Sequence, residues 1–195
     1  MNFSLNNVQI ELIWPWVAAG FAALLLLLGI WLYLYKTATK RRIRRVIRQL
    51  GETHLTDILI PDGLGGQIQI DYLVNMPGGL LILDFINLDG NLFGGEKLDQ
   101  WAQVQGMRTH RFRNPLYDNQ MRAASVRDLV PEVPVVSRVV FSPTGSFPKG
   151  MPEGISMLDQ LAKDIEAEVS PKALPDGVRS SVWEKIKAEA ASVHA

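Results

Sequence analysis

The stretch Gln67–Gly90, QIQIDYLVNMPGGLLILDFINLDG, constrains the fold more than any other part of the 195-residue chain. It predicts apolar strands at Gln67–Asn75 and Leu80–Asn87, joined by the turn sequence MPGG, because proline presets φ and glycine accepts positive φ. Apolar residues on both faces of the second strand predict that it lies in the middle of a sheet covered on both sides. A central hairpin is therefore expected to organise the fold.

Each of these strands carries one acid, Asp71 in the first and Asp84 in the second. With a loop of two or four residues, opposite residue numbers add up to 155, which sets Asp71 directly against Asp84. A turn at Gly78-Gly79 would make the acids diagonal neighbours on one face, and a three-residue loop would separate them. Gln69 joins the same face by the two-residue period of a strand.

Two carboxylates side by side in an apolar hairpin repel each other. A metal ion, a basic partner, hydrogen bonds or a retained proton must hold them together. Asp71, Asp84 and Gln69 are therefore the candidate catalytic residues, and the two acids are the candidate metal ligands. The alternative is that one acid lies at a strand end, where it is solvated or bonded to a neighbouring loop.

Residues 14–35, WPWVAAGFAALLLLLGIWLYLY, contain no charged side chain. At ~1.5 Å per residue they span the ~30 Å hydrocarbon core as one helix, with aromatic residues at both interfaces. They predict a transmembrane helix preceded by an extracytoplasmic tail at 1–13. A cleaved signal peptide is the alternative, but its basic residues would precede the apolar run.

Seven Lys and Arg residues between Lys36 and Arg48, with no acid, follow the apolar segment. The positive-inside bias then predicts a single-pass cell-membrane protein with its N-terminus outside and its C-terminal domain cytoplasmic. Residues 36–50 predict a basic juxtamembrane helix that Gly51 ends. Its arginines fit a topology signal on anionic headgroups better than a nucleic-acid-binding helix, because they adjoin the membrane.

From Gln49 onward 13 bases face 19 acids, a net charge of −6, so the domain is not a general polyanion binder. The richest basic patch in it is the second strand of a predicted hairpin, Trp101–Val104 and Met107–Phe112. Alternation sends Arg111 and Arg113 to one face, as candidate binding residues; gatekeeping charges on a strand edge are the alternative.

Asn114-Pro115 predicts the start of a helix that runs to about Val130. Asn114 is a candidate binding residue there, because a helix N-terminus can hold a phosphate or carboxylate; an ordinary cap is the alternative. The remaining predicted elements are strands at His54–Ile60, Val135–Phe141 and Ile155–Leu158 and helices at Leu158–Val169 and Gly177–Ala190. No cysteine is present for disulfides or thiolate sites, and the three histidines show no ligand spacing.

The segments GGQIQIDYLV, PGGLLILDFINLDGNLFGG and RFRNPLYDNQ, together with Trp101, resemble the nuclease-related domain (NERD) family, itself similar to the PD-(D/E)xK restriction-endonuclease fold. The resemblance covers about Arg41 to Leu161 and implies that Asp71 and Asp84 match the two metal-binding acids. The place of the motif lysine holds Ile86, and the glutamate common in the first helix of such domains is absent. The glutamine that usually follows the Asn-Pro motif is replaced by Asp118.

The expected fold class is α/β, with one N-terminal transmembrane helix followed by a mixed, mostly antiparallel central sheet flanked by helices. The nuclease-related domain is expected at 51–161 and a C-terminal helical extension at 162–195. The favoured function is a catalytically degenerate domain that binds nucleic acid or a membrane-associated protein beside the lipid bilayer, with no small-molecule cofactor implied. The alternatives are an active Mg²⁺-dependent nuclease, with Lys97 or an arginine of 108–113 in the lysine's role, and a structural or assembly subunit.

Overall fold

The computed structural model describes residues 4–168 and 173–192, and within them no side chains at 4–15, 18, 32–40, 167 and 191–192. The chain divides into two compact units, Met1–Arg44 and Arg45–Ala195.

The long helix α1 (Ser4–Leu50) runs through the segments expected to be a tail, a transmembrane helix and a basic helix. Its described apolar side chains between 16 and 31 are exposed, for example Trp16 and Trp31. Among the described residues, no helix combines the length and the apolar character needed to cross a membrane. The transmembrane assignment of 14–35, which falls partly outside the described side chains, stays a prediction. The helix ends before Gly51, as predicted, and the Gly51 amide donates to the Ile47 carbonyl at 3.2 Å.

The second unit contains two sheets and three further helices in the described residues. Its elements, in chain order, are β1 (Thr53–Pro61), β2 (Gln67–Met76), β3 (Gly79–Ile86), β4 (Gly90–Phe93), β5 (Gln100–Gln105), β6 (Arg108–Arg113), α2 (Pro115–Leu129), β7 (Val135–Phe141), β8 (Gly145–Ser146), β9 (Ile155–Met157), α3 (Leu161–Glu168) and α4 (Asp176–Ser192).

The larger sheet has the strand order β1-β2-β3-β7-β9, and its third strand, β3, is central and buried as predicted. The β1–β2 and β2–β3 pairs are antiparallel, whereas β3–β7 and β7–β9 are parallel. The expectation of a mostly antiparallel sheet is therefore too strong, and the sheet is evenly mixed. Parallel pairing needs a crossover, which the segment from β4 through α2 supplies between β3 and β7.

A second sheet, with the order β6-β5-β4-β8, was not expected from the sequence. Gly90, with φ of 84°, lets the chain turn out of β3 into β4, and β4 then pairs with β5. The predicted hairpin around Gly106 is present as β5 and β6, and Gly106 has a positive φ of 59°. The basic strand β6 forms one edge of this sheet.

Among the described residues, two apolar clusters stabilise the second unit. In the first, α2 and α4 cover one face of the larger sheet, and α4 contributes Trp183 and Ile186. The second lies around Trp101, whose indole stacks on Phe141 at a centroid distance of 6.2 Å. Helix α2 contributes to both clusters, which fixes its rotation against β3.

Candidate functional site

The predicted register of the β2–β3 hairpin is confirmed. A two-residue turn, Pro77 and Gly78, leaves Met76 opposite Gly79, and the ladder continues to Tyr72 opposite Leu83. The pairing ends there, one position before Asp71 and Asp84, and the two acids are close enough for the charge of Asp71 to act on Asp84. The hairpin therefore brings together the two acids that the sequence singled out.

Helix α2 supplies the groups that hold Asp84. The Asn119 amide donates to Asp84 Oδ2 at 2.9 Å, and Arg122 Nη1 donates to the same oxygen at 2.8 Å. Arg122 Nε also donates to the main-chain oxygen of Gln69 at 2.7 Å, so one guanidinium joins both strands of the hairpin to the helix. Of the four means of holding the acids together, the structure uses a basic partner and hydrogen bonds.

Burial dominates the electrostatics of Asp84, whose side chain is 8% exposed. Desolvation raises the pKa of Asp84 above its ordinary value, and the nearby charge of Asp71 raises it further. The hydrogen bond from Asn119 and the charge of Arg122 lower this pKa in opposition. The net shift is upward because removal from water outweighs the single cation.

The ladder between β1 and β2 is interrupted at a third acid, Asp57. Thr56 pairs with Tyr72 and Ile58 pairs with Ile70, but no pair forms at the position between them. Asp57 has φ of 52°, in the left-handed region that aspartate tolerates better than most residues. The sequence contained no pattern that predicted this local distortion at the acidic end of the hairpin.

The acids resemble the donor set of a nuclease-type metal ion in one respect only. Asp84 Oδ1 is buried and has no hydrogen-bond partner, so its lone pairs are available to a metal ion. However, Arg122 already holds Oδ2, and the described ranges 4–168 and 173–192 contain no group of three or more acidic, His or Cys side chains suited to a metal. Mg²⁺ in proteins is held by one or two carboxylates and retained waters, but here the guanidinium of Arg122 occupies the place beside Asp84 that the cation would take, so the donor set does not fit the ion.

Ile86 occupies the position of the motif lysine, and the side chains around it are apolar as well. Ile86 is half-buried and packs against the cluster that contains Trp101 and Phe141. The cation beside Asp84 is therefore Arg122, from a different element, and not Lys97 or an arginine of β6. Gln69 contributes its main-chain oxygen, while its side chain is exposed.

A cavity of about 480 Å³ has Asn119, the partner of Asp84, in its wall, but its lining includes neither Asp84 nor Asp71. Three glutamates also line it, namely Glu96, Glu153 and Glu168. Arg127 is the only basic side chain in its lining, and Glu168 forms an ion pair with Arg138. The cavity is therefore acidic, which disfavours a phosphate-rich ligand in it.

The predicted binding residues of β6 lie on an exposed sheet edge. Arg111 pairs across the sheet with Ala102, and Arg113 with Gln100, which puts both arginines on one face as predicted. Arg113 forms an ion pair with Asp118 at 3.3 Å, with both side chains largely in solvent. Arg111 is exposed, and no carboxylate partner is recorded for it among the described residues.

Asn114 acts as a helix cap, the alternative that the sequence left open. Its Oδ1 accepts from the Leu116 amide at 3.0 Å, and its Nδ2 donates to carbonyls of the loop before β5, at Glu96 (3.1 Å) and Leu98 (2.9 Å). The side chain is fully buried. These contacts tie the loop to α2 and leave the amide no capacity for an external ligand.

Asn119 and Arg122 are the functional-site residues that sequence reasoning missed. They are three residues apart on α2, so they lie on the same side of the helix. That side also carries buried Ala123 and Val126, and a polar pair beside an apolar stripe was the signal that could have identified them. The acid that Asn119 and Arg122 contact is determined by how α2 packs on the sheet.

The part of the chain that contains this site is similar in sequence to known proteins. The family described as "Nuclease-related domain" matches residues 36–142, more than half of the chain. An uncharacterised protein of Bacillus anthracis is 24% identical over 114 residues, which cover 56% of this chain and 54% of that protein. The chain therefore spans about half the length of this curated relative, and no solved structure matches it. The chain belongs to the nuclease-related domain family.

Proposed function

We propose that this chain is a membrane-anchored nuclease-related domain that binds nucleic acid without hydrolysing it. The observation that carries the proposal is the ion pair between Arg122 and Asp84, at 2.8 Å. A guanidinium keeps its charge at every physiological pH, so it neutralises the second acid of the pair permanently. A carboxylate held in this way is a structural anion and is poorly available as a ligand for an incoming ion.

Two further features support loss of hydrolysis. Ile86 fills the lysine position with an apolar side chain that cannot orient water or offset charge. The cavity on the far side of Asn119 is lined by three glutamates, which would repel a phosphate that approached from there. Both features favour a ligand that binds elsewhere on the domain.

The basic edge, defined here as Arg108, Arg111 and Arg113 of β6, is the surface best suited to nucleic acid. All three side chains are exposed, and the strand lies at the edge of its sheet. Because the domain as a whole is acidic, the contact would be local, with few phosphates bound. Such a surface suits a short stretch of single strand better than a long duplex.

Membrane anchoring is proposed from the uncharged run 14–35 and the basic run that follows it. The exposed apolar side chains of α1 between 16 and 31 are consistent with a lipid environment. In this arrangement the N-terminus would be outside and the domain would bind its ligand at the cytoplasmic face of the cell membrane.

Hydrolysis is tested with the full-length chain in detergent, incubated with Mg²⁺ or Mn²⁺ and labelled single- and double-stranded DNA and RNA. We expect no cleavage by the wild-type protein. Metal-dependent cleavage that Asp84→Ala abolishes would overturn the proposal and show that Arg122 serves in place of the motif lysine.

Binding is tested by fluorescence anisotropy of labelled oligonucleotides as a function of salt. Replacing Arg111 and Arg113, which share one face of β6, by alanine should reduce the magnitude of the slope of log K against log salt by ~1.4, since each single-strand phosphate contact contributes ~0.7. Lys163→Ala, an exposed cation on α3, is the matched control and should leave the slope unchanged. No binding of any oligonucleotide would refute the nucleic-acid proposal and favour an assembly subunit.

A further inference from the structure

We infer that a cavity on the face of the second sheet binds one nucleoside monophosphate unit, either as a free nucleotide or as part of a strand. The inference deepens the proposed function, and rests on it only where the unit belongs to a strand. The cavity has a volume of about 430 Å³, within the ~300–1,000 Å³ typical of ligand pockets.

The floor of the cavity follows from strand register. Phe93 of β4 pairs with Ala102 of β5, and Ala102 pairs with Arg111 of β6, so the three side chains form one row on one face. Neighbouring strands are ~4.8 Å apart, which separates Phe93 from Arg111 by roughly 10 Å. Because the middle residue is alanine, the space between the aromatic ring and the guanidinium stays open.

The rim adds a second cation and a mostly apolar wall. Lys149 Nζ lies 5.8 Å from the centroid of the Phe93 ring, above the row. Leu98 and Gly94 also line the cavity, together with Gln100, whose amide can both donate and accept hydrogen bonds. Trp101 packs beneath, only 1% exposed and stacked on Phe141, so the floor is firmly supported.

The two cations of the cavity have no anion of their own. Within the described parts of the chain, neither Arg111 nor Lys149 forms an ion pair. Lys149 contacts the Phe93 ring. Elsewhere in the second unit, Arg113, Arg122 and Arg138 all have carboxylate partners. The cavity therefore concentrates uncompensated positive charge in an otherwise acidic domain.

This combination selects the class of ligand. Arg111, at the end of the row away from Phe93, would hold a phosphate, since charge-assisted hydrogen bonds are the strong ones, and Lys149 adds positive charge at the Phe93 end. The exposed part of the Phe93 ring and Leu98 offer a surface on which a base can stack, and stacking tolerates every base. A nucleoside monophosphate satisfies both ends of the cavity, whereas inorganic phosphate or a nucleoside alone satisfies only one.

The test is calorimetric titration of the full-length chain in detergent with AMP, adenosine and inorganic phosphate. We expect saturable AMP binding that is tighter than binding of either fragment. Phe93→Leu removes the ring and Lys149→Met removes the charge, and each should weaken AMP binding roughly 10-fold. Ala102→Leu should block the gap, whereas Lys163→Met makes the same charge change on α3 and should have no effect.

Failure to saturate with AMP, or unchanged AMP affinity in Phe93→Leu and Lys149→Met, would overturn the inference. Equal affinity for phosphate and AMP would show that the cavity binds only an anion, and it would overturn the inference that the cavity also binds the nucleoside. A short oligonucleotide separates the two sources of ligand. AMP binding without oligonucleotide binding would keep the cavity and refute the proposed function. Oligonucleotide binding that both variants leave unchanged would keep the proposed function, and it would overturn the cavity if AMP binding were unchanged as well.

Discussion

Replacing Arg122 by methionine should destabilise the domain in a pH-dependent way. Methionine keeps most of the length of the side chain but removes the guanidinium, which donates to Asp84 Oδ2 and to the main-chain oxygen of Gln69. Asp84, with its side chain 8% exposed, would then be a buried acid held by Asn119 alone.

The magnitude follows from the burial of the pair. Removing one partner of a buried ion pair costs about 3–5 kcal/mol. Because the Arg122 side chain is 23% exposed, we take a value below that range, ~2 kcal/mol, for the pair itself. The lost hydrogen bond to Gln69 adds ~1 kcal/mol. The expected loss of about 3 kcal/mol near neutral pH is a large part of the ~5–15 kcal/mol that stabilises a typical domain.

The sign of the pH dependence follows from the pKa of Asp84. Burial raises this pKa in the folded state, and Arg122 opposes the rise, so Arg122→Met should raise it further. A carboxyl whose pKa is higher when folded binds more protons in the folded state, so the free energy of unfolding falls as pH rises from the ordinary value of 3.8 through the folded pKa. The cost of the substitution should therefore be small in acid and grow toward neutral pH.

Urea denaturation followed by circular dichroism at about pH 5 and about pH 8 measures this difference. The same substitution in an Asp84→Asn background is the control. Without the carboxylate, Arg122→Met should cost less, and its cost should no longer depend on pH. A loss that is equal at both pH values, or equal in both backgrounds, would show that Arg122 acts by packing and not through the charge of Asp84.

The remaining predictions concern the second sheet, the helix cap and topology. Gly94→Ala should cost ~1–3 kcal/mol in urea denaturation, because its Cβ would lie 2.1 Å from the Trp101 ring, whereas Gly95→Ala meets its nearest atom at 3.5 Å and should be nearly neutral. Asn114→Ala should lower the free energy of unfolding by at least ~2 kcal/mol, because the helix cap and the hydrogen bonds to buried carbonyls are lost together. A melting temperature equal to that of the wild-type protein would refute this role. Trypsin added to intact right-side-out cells should leave the domain uncut, since the basic run after 35 retains it inside, and cleavage within β6 or α2 would refute that topology.

The sequence alone determined the central hairpin and the two acids in it. The turn sequence MPGG left loops of several lengths open, and the structure selected the two-residue turn Pro77-Gly78, which gives the register in which opposite residue numbers add up to 155. The same kind of local chemistry predicted the start of α2 at Asn114-Pro115 and the whole of β7. These features depend on neighbours within a few residues, which is why they could be read from the sequence.

Only the tertiary structure decided what the acids meet. Arg122 is 38 positions from Asp84, and it reaches that carboxylate because α2 packs two apolar clusters against the sheets and is thereby fixed in rotation. Likewise, the row of Phe93, Ala102 and Arg111 exists because three strands form a separate sheet, which no local period revealed. The charge balance of the acid pair and the shape of the cavity were set by the packing of elements far apart in the chain, where sequence spacing carries no distance information.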